Sequence, residues 1–399
     1  MAQPYLTKAL EAMSIVSIFL LFAIWTGIAS ANNKTIVHGW EPEPDGRGTW
    51  SILWSCLVTI FICTWSVLHL DVPKRHGWWY LRFRKVKWML VAALAPEYIL
   101  MLAADDFFQA RTLLGHLVTH GGDEWTLIHA EFAVAGGIRV KSPESDEIMP
   151  KRIESLKKAV ESGQIKEPPI SEEELKSRSK SDGVVKLIAL LQITWFGLQA
   201  LFRAIQHLQV TALEIMTVAF FVLAVLIYAI WWNRPQDIEY PIVIKLQNAG
   251  SDGVEKSQEV NVDTKSRGGR SVWFMDKKYE AWVDQKWHVV MMLTIIAPLF
   301  GAIHCLAWNG PFPTAKEALA WRICAVATTS LPLWEGVVLW CDSTDGMSDL
   351  LLLVLATPMF LYAIARITLI TLAFMSLRAL PADAFQTIAW TNYFPNLGV

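Results

Sequence analysis

Charge is scarce in this chain, and long stretches have none. Asp, Glu, Lys and Arg make up 18% of its 399 residues, against about a quarter in a soluble globular protein. No acid or base lies between Arg47 and His69, so that stretch lacks the charge that a solvated loop or a soluble helix face carries. Net charge is lacking too. The formal sum is −2, which leaves no basic excess to neutralise phosphates and argues against a nucleic-acid partner. Cysteine is limited to Cys56, Cys63, Cys305, Cys324 and Cys341, with no CxxC spacing. That argues against paired-thiol redox and zinc motifs and leaves these residues as small apolar side chains. No Gly-rich phosphate loop follows a strand, Gly-x-Ser-x-Gly is absent, and kinase, Rossmann and haem-attachment signatures are missing. These absences leave no cofactor to expect.

Apolar residues are plentiful. They make up 53% of the chain and are concentrated in runs, the mark of a polytopic membrane protein. There are 20 Trp, many at the ends of those runs, as in an interfacial aromatic belt. Residues 49–70 form the clearest run, with Trp50 and Trp65 near its ends. At about 1.5 Å per residue it covers roughly 30 Å of hydrocarbon. Lys74, Arg75, Arg82, Arg84, Lys85 and Lys87 follow, a cationic flank that points to the cytosol.

The remaining chain divides at its apolar runs. Residues 1–31 are either a cleaved signal peptide or a first helix, with Ala29-Ser30-Ala31 in the form of a cleavage site. Asn33-Lys34-Thr35 is a glycosylation sequon in a segment expected to be lumenal. A two-span unit occupies 32–104, with spans over 49–70 and 88–104, the second kinked at Ala95-Pro96-Glu97. A polar extramembrane region follows over 105–183; its part from Ser142 to Asp182 is rich in Glu, Lys and Ser and reads as a solvated, partly helical arm. Residues 184–232 form a transmembrane hairpin, and 233–288 form an outside loop in which 238–245 alternates weakly, as a short strand does. Three more spans fill 289–375, and 376–399 is the tail. The fold class is all-α, a polytopic transmembrane bundle of about seven or eight spans. Counting each run from Thr49 as a crossing puts 105–183 and 236–286 in the lumen and the tail in the cytosol.

Several motifs carry a resemblance. His38-Gly39-Trp40, Glu43-Pro44 and Arg47-Gly48-Thr49 lead into Ile52-x-Trp54-Ser55-Cys56, Thr59-Ile60, Cys63-x-Trp65 and His69-Leu70-Asp71-Val72-Pro73. Further on come Glu124-Trp125-Thr126-x-x-His129-Ala130, Gly136-Gly137, Phe312-Pro313-Thr314, Trp321-Arg322, Leu380-Pro381-x-x-Ala384-Phe385, Trp390-Thr391 and Pro395. In this order they resemble a large group of uncharacterised polytopic membrane proteins of filamentous fungi. The resemblance implies a fungal source and a membrane location, loosely a setting among secondary-metabolite genes, and no particular chemistry. Asp105-Asp106 lies outside the shared pattern.

Two sets of residues are candidates for chemistry. The first is Asp105 and Asp106 with His129, Glu131 and Glu97. Adjacent carboxyls raise one another's pKa and can protonate an alkene or epoxide. Asp105-Asp106-x-x-Gln109 is a degraded form of an aspartate-rich Mg2+ motif, with an uncharged amide in its third position. His116 and His120 share a helix face, but HExxH is absent and no metal is assigned. The second set, Glu335, His304 and Arg366 inside apolar runs, together with Trp125, is assigned to a substrate pocket, since intramembrane charge marks a site or an internal pair. A Glu335–Arg366 pair is the structural alternative. The expected function is a membrane-embedded enzyme of cyclase or isomerase type, acting by acid–base chemistry on a lipophilic small molecule. The alternatives are a transporter or receptor for such a molecule, and a non-catalytic membrane scaffold. The partners are that molecule and membrane lipid; the location is multi-pass in the secretory pathway, at the endoplasmic reticulum.

Overall fold

The computed structural model describes residues 37–42, 47–73, 77–141, 152–179, 183–246, 292–341 and 349–388. The N-terminal run, Asn33, the centre of the 233–288 loop and the aromatic end of the tail lie outside the described residues. Helices are α1 (Thr49–Trp65), α2 (Trp78–Leu94), α3 (Pro96–Gly121), α4 (Leu127–Val134), α5 (Arg152–Glu161), α6 (Glu172–Arg178), α7 (Gly183–Ile205), α8 (Ala212–Ile230), α9 (Ala297–His304), α10 (Ala315–Cys341) and α11 (Asp349–Ser376). Strands are β1 (Val37–His38), β2 (Ile138–Lys141), β3 (Ile242–Lys245) and β4 (Leu380–Pro381).

Among the described residues three helices are long and apolar enough to cross a membrane, with segments Lys186–Ile205, Ala212–Ile230 and Ala356–Ser376. Counting the bent pair α2 and α3 as one span makes four; α1 and the segment Thr294–Ala307 are apolar but shorter. The outer surface supports membrane association. Trp54, Phe61, Leu191, Leu201, Phe360 and Ile364 are all exposed, and such apolar cover on several neighbouring helices suits lipid rather than water. The central helix is α8. It is apolar on all sides and packs against α1, α3, α7, α9 and α11. A capping box starts it: Thr211 Oγ1 accepts from the Glu214 amide at 3.2 Å, and Glu214 Oε2 accepts from the Thr211 amide at 2.9 Å.

A second core lies beyond one end of this bundle. The later half of α3 contributes Ala110, Leu113 and Leu117; α4, α5 and α6 add Phe132, Leu156, Val160 and Leu175. Within the stretch read as a solvated arm, α5 and α6 are therefore docked. Leu156, Ala159 and Val160 recur at helical spacing on α5 and give it one apolar face. The weak alternation over 238–245 becomes β3, paired in parallel with β2 in the register Ile138↔Ile242.

The path of the chain differs from the reading of 88–104 as one span. Pro96 has no amide hydrogen to donate, α2 stops at Leu94, and α3 leaves at 112° to it. After this bend α3 runs back toward the end from which α2 began. There Val72 N donates to Ala135 O at 2.9 Å, and Lys85 meets Asp237 at 2.6 Å. The basic stretch and the 105–183 region, expected on opposite sides, thus share one end.

At the opposite end β1 pairs antiparallel with β4, Val37↔Pro381. Arg203 at the foot of α7 holds the tail by donating to the carbonyls of Gln386 at 2.7 Å, Ala384 at 3.0 Å and Asp383 at 3.1 Å. Arg47, just before α1, pairs with Glu214 at the start of α8.

Candidate functional site

The break at Ala95-Pro96 makes a site. A helix that stops leaves its last carbonyls without intrahelical donors, and here the stop faces the bundle. Arg366, in the middle of α11 and fully buried, supplies donors. Its Nε donates to Leu94 O at 3.1 Å and its Nη2 to Ala93 O at 3.5 Å. Its Nη1 faces His304 Nε2 at 3.3 Å, and the guanidinium lies 4.3 Å from the Phe300 ring centroid. His304 Nδ1 is 2.9 Å from Phe300 O. A carbonyl only accepts, so Nδ1 carries the proton and Nε2 is free to accept from Arg366. This cation at the carbonyl end of one half-helix matches the sign of its dipole, as does Glu97 in the first turn of the next.

Glu97 is the other half of the site. Tyr362, one turn before Arg366 on α11, donates its phenol hydrogen to Glu97 Oε1 at 2.5 Å. The second oxygen, Oε2, is buried and has no hydrogen-bond partner. Glu335 on α10 and Arg366 both lie within electrostatic reach of Glu97. Glu97, Glu335 and Tyr362 are partly exposed, whereas Arg366 and His304 are sealed behind them. Such an arrangement can hold or move a proton at Glu97 Oε2 in a medium of low dielectric.

Four of the sequence candidates, Glu97, His304, Glu335 and Arg366, are therefore gathered in one place. Arg366 is turned toward the broken helix and His304. Tyr362 was missed, although its spacing of four from Arg366 puts both on one face of a helix.

The other candidates stand elsewhere. Asp106 on α3 and Glu131 on α4 surround Arg234, which follows α8 and is 1% exposed. Arg234 is 2.7 Å from Asp106, 2.8 Å from Asp71 and 4.0 Å from Glu131. Glu131 is fully buried and no hydrogen bond reaches either of its oxygens. Burial pushes its carboxyl up to about 7 against the pull of Arg234, with the Asp106 charge adding to the rise. Asp105 is the half-buried neighbour on α3. Arg234 is not among the sequence candidates; its role as the centre of three acids comes from the fold.

His129 sits in the second core with both ring nitrogens engaged. Nδ1 accepts from the Thr126 amide at 3.1 Å, so Nε2 carries the proton and donates to Ile170 O at 2.9 Å. Burial holds its pKa below the ordinary value. Trp125 is buried beside it, edge-on to the imidazole at 6.0 Å. His116 and His120 at the end of α3 lie together with Glu161 of α5.

No curated protein and no solved structure matches the chain. A family model matches residues 15–254, which include α1 to α8 and β1 to β3, while His304, Glu335, Tyr362 and Arg366 follow that range. The chain belongs to the family of unknown function DUF8562.

Proposed function

We propose that this is a multi-pass protein of the secretory pathway, in the endoplasmic reticulum membrane, that acts on a lipophilic small molecule by acid–base chemistry, as a cyclase or isomerase. One observation carries the reading. Glu97 stands at a break in a bundle helix with one oxygen held by Tyr362 and the other without a partner, beside a second carboxyl, Glu335. Glu97 gives a proton to an alkene or epoxide of the substrate. Where an alkene is protonated, a carbon next to the resulting cation returns a proton to the carboxylate pair. Proton count balances, and no co-reactant is needed. Arg366 and His304 are positioning residues. The fungal and secondary-metabolite setting rests on the sequence resemblance, and glycosylation at Asn33 on its sequon.

The topology that goes with this reading has six crossings after residue 48: α1, α7, α8, the 292–307 segment, α10 and α11. The pair α2 and α3 enters and returns, and the N-terminal run adds a seventh crossing if it is retained. An even count after residue 48 agrees with the pairing of β1 with β4. The positive flank then assigns the second core to the cytosol and the tail to the lumen.

The test is metabolite profiling in a clean fungal host that carries the gene with its biosynthetic neighbours. Wild type is compared with Glu97→Gln, Glu335→Gln, Tyr362→Phe and Asp106→Asn, and membrane abundance is checked by blot. A new product lost in Glu97→Gln with normal abundance is expected. A product that survives Glu97→Gln removes the site. An unchanged wild-type profile removes the enzyme and favours a second reading, a carrier, for which the half-helix junction at Pro96 speaks.

A further inference from the structure

The end of α3 carries a cluster that the acid–base site does not use. His116 and His120 are one turn apart, and their rings stack with centroids 4.5 Å apart. Glu161, the last residue of α5, reaches the same spot, its Oε1 2.7 Å from His116 Nε2. One ligand atom from each of the three lies within 4.8 Å of the others. The hydrogen bond between His120 Nδ1 and His116 O, 3.0 Å long, puts the proton of that ring on Nδ1 and leaves the Nε2 lone pair available.

We propose that His116, His120 and Glu161 bind a divalent transition cation of the Zn2+ class. Two imidazoles and one carboxylate suit Zn2+ with water in a fourth position. Mg2+ and Ca2+ prefer all-oxygen shells and fit two nitrogens poorly. Bonds of about 2.0–2.2 Å to each ligand require the three atoms to surround the ion. His120 and Glu161 are exposed enough to adjust, and His116 is half-buried. The proton shared between His116 Nε2 and Glu161 leaves as the ion enters. The site lies in the last turns of α3, where the helix dipole favours a cation. A bound ion ties α5 to α3 and so fastens the outer layer of the second core to the shaft that enters the bundle.

The test uses the full chain, purified in detergent and stripped with chelator. Zn2+ is titrated by calorimetry, Co2+ by its visible absorption, and Mg2+ serves as the control. One equivalent of Zn2+ or Co2+ is expected, with a rise in thermal midpoint. Loss of a metal ligand's hydrogen-bond partner alone weakens binding about tenfold or more, so loss of a ligand in His120→Ala is expected to do at least as much and to abolish the thermal shift. Glu161→Gln keeps a hydrogen-bonding group against His116 and is expected to weaken binding with the fold intact. Absence of saturable binding near one equivalent overturns the proposal. So does equal binding by both variants and wild type, or a preference for Mg2+.

Discussion

Three carboxylates meet one guanidinium at Arg234, and they are not equivalent. Asp71 and Asp106 lie at ion-pair distance, whereas Glu131 stands 4.0 Å away without a hydrogen bond. Burial raises the Glu131 carboxyl, and a guanidinium shared with two closer acids offsets only part of that rise. The sign of the pH effect follows. Its carboxyl lies at about 7 in the folded chain against an ordinary 4.5, so the folded state holds this proton more tightly than the unfolded one. Stability from this group is complete below the ordinary glutamate value. It falls as pH rises from there to about 7, and is level above that. Thermal midpoints in detergent measured across that window should drop for wild type and stay flatter for Glu131→Gln. Parallel slopes for the two proteins would remove the assignment. Asp106 is also a poor candidate for a free acid, because it is ion-paired with Arg234 at 2.7 Å, whereas Glu97 keeps an oxygen without a donor.

Between elements, close approach is set by small residues and by where helices stop. Gly301 of α9 lies against α10. A Cβ there would stand 2.6 Å from Thr329 N and 2.7 Å from Thr328 C, and backbone atoms cannot swing aside. Gly197 of α7 faces the Phe221 ring, where a Cβ would meet the nearest atom at 2.7 Å, but a side chain can rotate. Gly301→Ala should therefore cost about 1–3 kcal/mol by overpacking, and Gly197→Ala less. It should also disturb His304, one turn further along α9, and with it the partner of Arg366. Comparing the thermal midpoints of the two variants tests this; an equal drop would mean that helix spacing is not set at Gly301. The break after α2 follows the opposite rule. Pro96 prevents continuation, and the Arg366 side chain, rather than backbone amides, satisfies the freed carbonyls of Leu94 and Ala93.

At the scale of the whole molecule, much of the bundle was legible because a membrane span writes itself as an uncharged run. The long apolar helices α7 and α8, the break at Pro96 and the charges inside apolar runs all follow from local sequence. What was not legible is long-range pairing. Nothing near Arg234 announces Asp71 and Asp106, nothing near Glu161 announces His116, and a proline in an apolar run reads alike whether the chain bends or turns back. That last ambiguity changes the parity of every later segment. With α2 and α3 counted as one crossing, the basic stretch and the 105–183 region fall on opposite faces; with the chain turned back at Pro96, they share one. Reaction with an impermeant maleimide in sealed microsomes separates the two cases. The native thiols Cys56, Cys63 and Cys305 are buried and Cys324 is half-buried, so the protein without added cysteine serves as the background control. Ser162→Cys, just after α5, should be modified from outside the vesicle without permeabilisation, because the proposed topology puts that core with the cationic flank on the cytosolic face. Lys316→Cys, at the start of α10 beside the pair of Glu317 and Arg378 at 2.9 Å, should need permeabilised membranes. If Lys316→Cys reacts before permeabilisation and Ser162→Cys only after it, the pair crosses and is not re-entrant. The acid–base site would then have to be rebuilt around a helix that crosses.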